Sequence, residues 1–384
     1  MTPLHIDIFC AVIDNFGDAG VCWRLARQLA HEHGCWVRLW VDRPEVLAAL
    51  MPGTEIPATG AEIDGVWVAD WGQAAVASPA QLVIEAFACE LPLAYFAAMV
   101  RERSVQAWIN LEYLSAEDWV EGSHGLPSVH PQTGLRKHFF FPGFTAKTGG
   151  LLKEAALDAR REAFSADTVD QQLFWDALGV TAPHAEQLKV SLFAYENDAV
   201  ASLLKVWSQG AREVYCAAPL GRITPQLAGW LGEAQLQAGQ VFTRGQLTVA
   251  VLPFMPQPDY DRLLWACDLN FVRGEDSFVR AQWAGKPFVW HIYQQEEAEH
   301  KIKLRAFLQH YLAGLDESAS QALQAFWLAW EAQSGVAECW PAFEASLSTL
   351  RAHTRDWSKR VSKHGDLAAK LLIFCENLLE SRAL

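Results

Sequence analysis

The chain has 384 residues, 51% hydrophobic and 20% charged, enough apolar side chain for large cores and too little charge for a disordered chain. At roughly 150 residues per domain, this length implies two to three domains. Lys and Arg number 31 against 45 Asp and Glu, a net charge of −14 that argues against nucleic-acid binding through a basic surface and against polybasic membrane attachment. The eight cysteines form no Cys-x-x-Cys pair and mostly sit in apolar runs, the pattern of reduced thiols in a reducing cytosol. MTPLHIDIF lacks the features of a signal peptide, and the longest apolar stretch, 82–100, is interrupted by Glu85, Glu90 and Pro92. The expectation is a cytoplasmic protein without a membrane span. The 17 Trp exceed what a core requires, so some are expected to line grooves or domain faces.

In chain order, LHIDIFCAVI (4–13) reads as a buried parallel strand and DNFGDAG (14–20) as a turn-forming loop. VCWRLARQLAHEH (21–33) has Val21, Leu25 and Leu29 at helical spacing, with Gly34 placed to end the helix. CWVRLWV (35–41) is the next strand. Asp42 and Pro44 then occupy N-cap and first-turn positions of a short helix to Leu50. Strands are expected at 66–70, 82–87 and 105–110, and a helix at 92–103. This alternation implies a doubly wound parallel sheet. Residues 151–187 change character and read as a connection between domains. A second series follows: strands at 188–195, 212–218, 247–254, 269–274 and 286–293, with helices at 199–209, 258–268 and 275–285. From 295 onward the pattern is helical. The division is therefore 1–150, an N-terminal Rossmann-like domain on the acceptor side; 151–187, the connection; 188–350, a C-terminal Rossmann-like domain on the nucleotide side; and 351–384, helices that pack back on the first domain.

Open α/β sheets bind ligands at the carboxyl ends of their strands, and three segments fall there. Asp14-Asn15-Phe16-Gly17-Asp18 places two carboxylates and a permissive glycine between the first strand and the first helix; simple helix capping by either Asp is the alternative. Arg273-Gly274-Glu275-Asp276-Ser277 joins a strand end to a helix start, where free N–H groups and the helix dipole favour phosphate. Glu275 and Asp276 would repel a diphosphate directly, so their carboxylates suit sugar or ribose hydroxyls, leaving backbone N–H groups and the Ser277 hydroxyl for the phosphate. Acidic helix capping is the competing explanation. Tyr195 and Phe254 offer rings for a nucleobase and Gln257 an amide for its edge, against the alternative of an aromatic plug. Asp259-Tyr260-Asp261 has the D-x-D form of some metal-dependent sugar transferases, but it adjoins an apolar helical run and is better explained by capping. There is no G-x-G-x-x-G, Walker A or Gly-x-Ser-x-Gly sequence to support nicotinamide, nucleoside-triphosphate or serine-nucleophile chemistry.

DNFGDAG-VCWRLARQLA, ACELP at 88–92, NLEYLSAEDW at 110–119, FFFPGF at 139–144 and RGEDSFVRAQWAGKPFVWHIYQQ at 273–295 together resemble the EarP family. These are bacterial protein-arginine rhamnosyltransferases that modify elongation factor P. The resemblance implies an α/β GT-B fold, two facing Rossmann-like domains with a cleft between them and a helical C-terminal tail. It implies dTDP-β-L-rhamnose as donor, an arginine of elongation factor P as acceptor and inversion at the anomeric carbon. The family's loop aspartates fall on Asp14 and Asp18, and its donor contacts on Tyr195, Phe254, Gln257, Arg273, Glu275, Asp276 and Ser277. Asn15, Phe16 and Gly17 join the donor-binding set, and Glu275 joins Asp14 and Asp18 among the catalytic carboxylates. Asp18 is assigned as general base and Asp14 as its orienting partner. Neither a metal nor another cofactor is expected, because Arg273 and the helix start at 275–277 can meet the diphosphate charge. Two other readings stay open: a sugar-nucleotide epimerase of the same architecture, and a nucleotide-sugar-binding protein without turnover.

Overall fold

The protein is described by a computed structural model at residues 3–14, 16–293 and 299–383. It divides into two units, Met1–Ala155 with Arg360–Leu384, and Ala156–Lys359. In the first unit the chain runs β1 (His5–Cys10), α1 (Phe16–His33), β2 (Trp36–Val41), α2 (Pro44–Ala49), β3 (Ala61–Ile63), β4 (Val66–Asp70), β5 (Leu82–Ala86), α3 (Leu93–Glu102), β6 (Ala107–Leu111), α4 (Trp119–Ser123), β7 (Pro127–Val129) and β8 (Arg136–Phe140). The second unit continues with α5 (Leu157–Ala166), α6 (Thr168–Ala177), β9 (Leu188–Leu192), α7 (Val200–Gln209), β10 (Val214–Pro219), α8 (Thr224–Leu231), β11 (Val241–Arg244) and β12 (Leu247–Leu252). It is completed by α9 (Gln257–Ala266), β13 (Leu269–Arg273), α10 (Asp276–Ala284), β14 (Phe288–His291), α11 (Glu299–Tyr311), α12 (Glu317–Glu331) and α13 (Val336–Ser362), whose last residues enter the first unit. Helix α14 (Leu367–Ala383) packs on α1 and β6, and Gln28 Nε2 on α1 donates to Asp366 Oδ1 at 3.2 Å.

The first sheet has the order β3-β4-β2-β1-β5-β6-β8-β7, and the second β11-β12-β10-β9-β13-β14. All pairings are parallel except those of the short edge strands β3, β7 and β11. Strands β1 and β9 are central, and the chain builds outward from each in both directions. The order therefore reverses between β1 and β5 in one unit and between β9 and β13 in the other. These switch points are where α/β sheets leave a crevice for ligands.

Parallel strands covered on both faces read as continuous apolar runs. After the exposed His5, strand β1 does so except at Asp7, which is fully buried among Ile6, Ile8 and Phe9. A buried carboxylate is tolerated only when every lone pair finds a donor. Arg38 Nε reaches Asp7 Oδ1 at 2.6 Å and Arg38 Nη2 reaches Oδ2 at 2.7 Å. Trp40 Nε1 donates to Oδ1 at 2.9 Å, the Ala80 N–H to Oδ2 at 3.0 Å, and the Tyr95 hydroxyl also donates to Oδ2. This network ties β1 to β2, to the approach to β5 and to α3.

Several boundaries differ from the sequence reading. Helix α1 opens at Phe16, so Gly17, Asp18 and Gly20 are helical and the loop is shorter than expected. Gly34 does end that helix, with φ of 65°. The N-cap of α2 is Arg43 rather than Asp42. Most tryptophans go into cores: around α11–α13, Phe307 stacks on Trp327 with centroids 6.0 Å apart and meets Trp357 edge-on at 5.8 Å. Trp36 and Trp119 are exposed. All eight cysteines are free thiols, buried or half-buried, and no described helix is long and apolar enough to cross a membrane.

Removing the Asp7 carboxylate leaves the buried side of Arg38 without its charge partner. Asp7→Ala should lower stability by about 3–5 kcal/mol in urea denaturation, the usual cost of breaking a buried ion pair from one side. A loss below about 1 kcal/mol would show that the network is not holding the first sheet.

Candidate active site

Five residues separate β1 from α1, and the geometry of this turn is set largely by Asp18 in the helix's first turn. Gly17 N–H donates to the Asp14 carbonyl at 2.7 Å. A Cβ on Gly17 would stand 2.7 Å from Asp14 Oδ2, so the absent side chain is what lets the Asp14 carboxylate lie over the helix start. Asp18, 2% exposed, turns back toward the loop, and its Oδ2 accepts the N–H groups of Ile13 and Asp14, both at 2.8 Å. Its carboxylate thus binds backbone that precedes the helix, whereas a capping Asp would bind N–H groups inside it. Asp42 Oδ1 accepts the Val12 N–H at 2.9 Å, and Arg43 donates to the Val12 carbonyl, which fixes the far side of the same turn. Asn15 lies outside the described residues; Phe16 is half-buried at the helix start.

Burial pushes the Asp18 carboxyl above its ordinary value, opposed by hydrogen bonds from the Asp14 and Ile13 N–H groups and the Tyr113 hydroxyl and by the Arg43 charge. Tyr113 follows β6 and stacks on Phe87 at 4.4 Å with an interplanar angle of 17°. Phe87 and Ala88 follow β5 and both adopt left-handed backbone, φ 60° and 56°, a conformation costly for residues with a Cβ. The Phe87 N–H is held by the Leu111 carbonyl at 2.6 Å and the Ala88 N–H by Asn110 Oδ1 at 3.2 Å. Sequence reasoning missed Arg43 and Tyr113 as groups that act on Asp18. Ala88 and Tyr113 fall within segments that carry the family resemblance, but nothing in their spacing marks them as a pair.

At the second switch point, β13 ends at Arg273 and α10 begins at Asp276, with Glu275 as N-cap residue and Gly274 at φ 61°. Glu275 makes no side-chain cap hydrogen bond. Ser277 Oγ accepts the Arg273 N–H at 2.9 Å and donates to the Arg273 carbonyl. The hydroxyl proton is therefore engaged inside the loop, and what Ser277 can present to an anion is its backbone N–H. The Arg273 guanidinium, largely buried, lies 4.3 Å from the Phe193 ring centroid and 4.9 Å from that of Tyr195. Tyr195 also meets His291 and Tyr293 edge-on, at 5.3 and 5.6 Å. Burial and the Arg273 charge lower the His291 pKa to about 4, so a neutral imidazole sits beside the cation at neutral pH. Gln257 opens α9, and its Nε2 donates to Asp276 Oδ2 at 3.2 Å, which brings these two predicted residues together. Phe254 follows β12 and is half-buried.

Asp259 and Asp261 do not cap α9 as expected; both lie inside it. Asp261 forms a buried bidentate ion pair with Arg280, at 2.9 and 2.7 Å, each side chain 2% exposed. Asp259 pairs with Arg262 at 3.8 Å. Neither carboxylate is arranged for a shared cation, and among the described residues no cluster of three metal-ligating side chains occurs.

Residues 6–376 match the family described as Elongation-Factor P (EF-P) rhamnosyltransferase EarP. The chain belongs to the EarP family. It is 50% identical over 375 residues to the protein-arginine rhamnosyltransferase of Pseudomonas putida, covering 97% of this chain and 99% of that one. It is 37% identical over 382 residues to that of Neisseria meningitidis serogroup B, covering 97% of each. A solved structure described as the structural basis for EarP-mediated arginine glycosylation of translation elongation factor EF-P superposes with a TM-score of 0.69 at 38% identity, over 97% of this chain and 99% of that one. A glycosyltransferase from Rickettsia africae superposes at a TM-score of 0.50 with 9% identity over 99% of each chain, a likeness of fold. The EarP-family fold here is GT-B, with two parallel-sheet units and a helical C-terminal region.

Because Arg280 neutralises Asp261 inside the second unit, Arg280→Ala should destabilise that unit by about 3–5 kcal/mol in urea denaturation. Near-neutral stability, or a rise in the wild-type midpoint on adding magnesium or manganese, would restore the metal-binding reading of Asp259–Asp261.

Proposed function

We propose that the protein transfers L-rhamnose from dTDP-β-L-rhamnose to an arginine guanidinium of elongation factor P, with inversion at the anomeric carbon and without a metal ion. The observation that carries this reading is Asp18, a buried carboxylate held by two backbone N–H groups at the first switch point, in a chain that belongs to the EarP family along nearly its whole length.

Arginine is a weak nucleophile because its guanidinium pKa exceeds about 12 and its lone pairs are delocalised. Transfer requires that the guanidinium be held in line with C1 of the sugar and lose a proton as the N–C1 bond forms and the C1–O bond to the diphosphate breaks. In this reading Asp18 accepts that proton and Asp14 orients the guanidinium beside it. The sugar passes through an oxocarbenium-like state, as in glycoside cleavage. The departing dTDP is met by Arg273 and by backbone N–H groups at the start of α10. Glu275 and Asp276 take sugar or ribose hydroxyls, and Glu275 also stabilises the reacting sugar. Tyr195, Phe254 and Gln257 serve the nucleobase side. Asn15, Phe16 and Gly17 complete the donor contacts from the first unit.

The direct test incubates the pure protein with dTDP-β-L-rhamnose and elongation factor P and weighs the acceptor by intact mass spectrometry. A gain of one deoxyhexose, retained in excess chelator, is expected. An epimerase or a sugar-nucleotide sensor would leave the acceptor mass unchanged. Asp18→Asn should nearly abolish the gain while leaving donor affinity, measured by calorimetry, within a few-fold. Because burial raises the Asp18 pKa, wild-type kcat/KM should fall on acidification at a pH above the ordinary carboxylate range.

Loss of a charged hydrogen-bond acceptor costs about 1.5–3 kcal/mol, and about 1.4 kcal/mol is tenfold in affinity. Glu275→Ala and Asp276→Ala should therefore weaken donor binding about ten- to a hundred-fold with circular dichroism unchanged. Unaltered donor affinity with lowered thermal stability would reassign both to a structural role.

A further inference from the structure

Directly after β10 the chain turns and sets an arginine, Arg222, beside the aromatic residues of the second switch point. The turn is pinned by its backbone: the Leu220 N–H donates to the Leu252 carbonyl at 2.9 Å and the Gly221 N–H to Thr224 Oγ1 at 2.8 Å. A Cβ on Gly221 would stand 3.7 Å from Phe193 Cε2, so the turn packs against one of the two rings that hold Arg273. Arg222 Nε donates to both carboxylate oxygens of Glu196, at 3.1 and 3.0 Å. Glu196 leads into a fixed part of the loop after β9. Asn197 is fully buried, its N–H donates to Gln226 Oε1 on α8 at 2.7 Å, and its Nδ2 donates to the Trp330 carbonyl at 2.9 Å. The pair therefore joins two backbone segments that are already fixed, and its side chains stay 52% and 53% exposed.

The geometry of this pair sets it apart. Arg38 meets Asp7 and Arg280 meets Asp261 with two nitrogens on two oxygens, Nε and Nη2 together. Arg222 gives Glu196 its Nε alone, and among the described residues its Nη1 and Nη2 groups have no acceptor. A guanidinium with that edge free presents paired donors matched to two oxygens of a phosphate. The Arg222 guanidinium carbon lies 5.9 Å from the Tyr195 ring centroid, and that of Arg273 lies 4.9 Å from the same ring. Two guanidinium groups thus flank one tyrosine. Arg273 is 9% exposed and packed on two rings, whereas Arg222 stands open to an arriving anion.

We propose that Arg222 is a second arginine of the donor site, which takes a phosphate of the nucleotide through Nη1 and Nη2 while Glu196 holds Nε. This rests on the reading of the second switch point as the place where the donor binds. The test is calorimetry with dTDP at several salt concentrations on wild type, Arg222→Lys, Arg222→Gln and Glu196→Gln, beside thermal melts. Arg222→Gln should bind dTDP about tenfold more weakly or worse, the size of one charge-assisted contact. Arg222→Lys should fall between, because an ammonium keeps the charge and loses the fork. Affinity should depend less steeply on salt in Arg222→Gln than in wild type. Melting temperatures should stay within about 3 °C, since an exposed ion pair adds little stability. Glu196→Gln breaks the same pair but leaves the guanidinium, so it should lose less affinity than Arg222→Gln and keep the wild-type salt dependence. Equal losses in the two Gln variants with unaltered salt dependence would make the pair a loop anchor and overturn the proposal, as would dTDP binding by Arg222→Gln at the wild-type level. A wild type that does not bind dTDP would overturn the donor-site reading itself, and the assignment of Arg222 with it.

Discussion

A helix separated by five residues from a buried strand leaves a turn whose backbone has few places to find hydrogen bonds. In the first unit Asp18 resolves this by reaching backward from the first helical turn to the Ile13 and Asp14 N–H groups. The rest of the site depends on that clasp. It fixes the loop that carries Asp14 and leaves Asp18 buried at the first switch point. A carboxylate placed to complete a turn is thereby also held in place for the proton-acceptor role proposed for it. No rearrangement of the loop is needed for the function proposed for it.

The second unit solves the same problem with a neutral group. Ser277, again in the first helical turn, reaches back four residues to both backbone polar atoms of Arg273. A carboxylate in that position would bring negative charge to a helix start proposed to receive a diphosphate, whereas a hydroxyl closes the turn without it. Of the acidic side chains nearby, Asp276 accepts from Gln257 and Asp261 is neutralised by Arg280. The contrast between a carboxylate clasp and a hydroxyl clasp matches the cationic acceptor proposed for one unit and the anionic donor proposed for the other.

The parallel core was legible because β1, β2, β5, β9, β10 and β12 are apolar runs flanked by helical patterns. The edge strands were not: β3 and β7 are three residues long, and antiparallel edges lack the continuous burial that marks a central strand. The start of α1 was misplaced because two glycines and two aspartates resemble a loop. Only the geometry reveals that Gly17 is needed for the clearance of Asp14 and that Asp18 binds backward. The D-x-D sequence was read as capping, yet the deciding partner of Asp261 lies nineteen residues on, in another helix. Arg43 and Tyr113 act on Asp18 from two separate strand ends, a convergence that local periodicity does not encode. Tyr195 follows β9, Arg273 to Ser277 follow β13, and Gln257 reaches Asp276, because topology, rather than any local motif, gathers these segments at the switch point.

The central claim is a single displacement at the anomeric carbon, driven by a guanidinium whose proton passes to Asp18. The anomeric configuration of the product tests it most directly. NMR of the glycosylated arginine, read through the one-bond carbon–proton coupling at C1, should show an α-linked rhamnose formed from the β-linked donor. A β-linked product would require two displacements or a different attacking group, and would contradict the account.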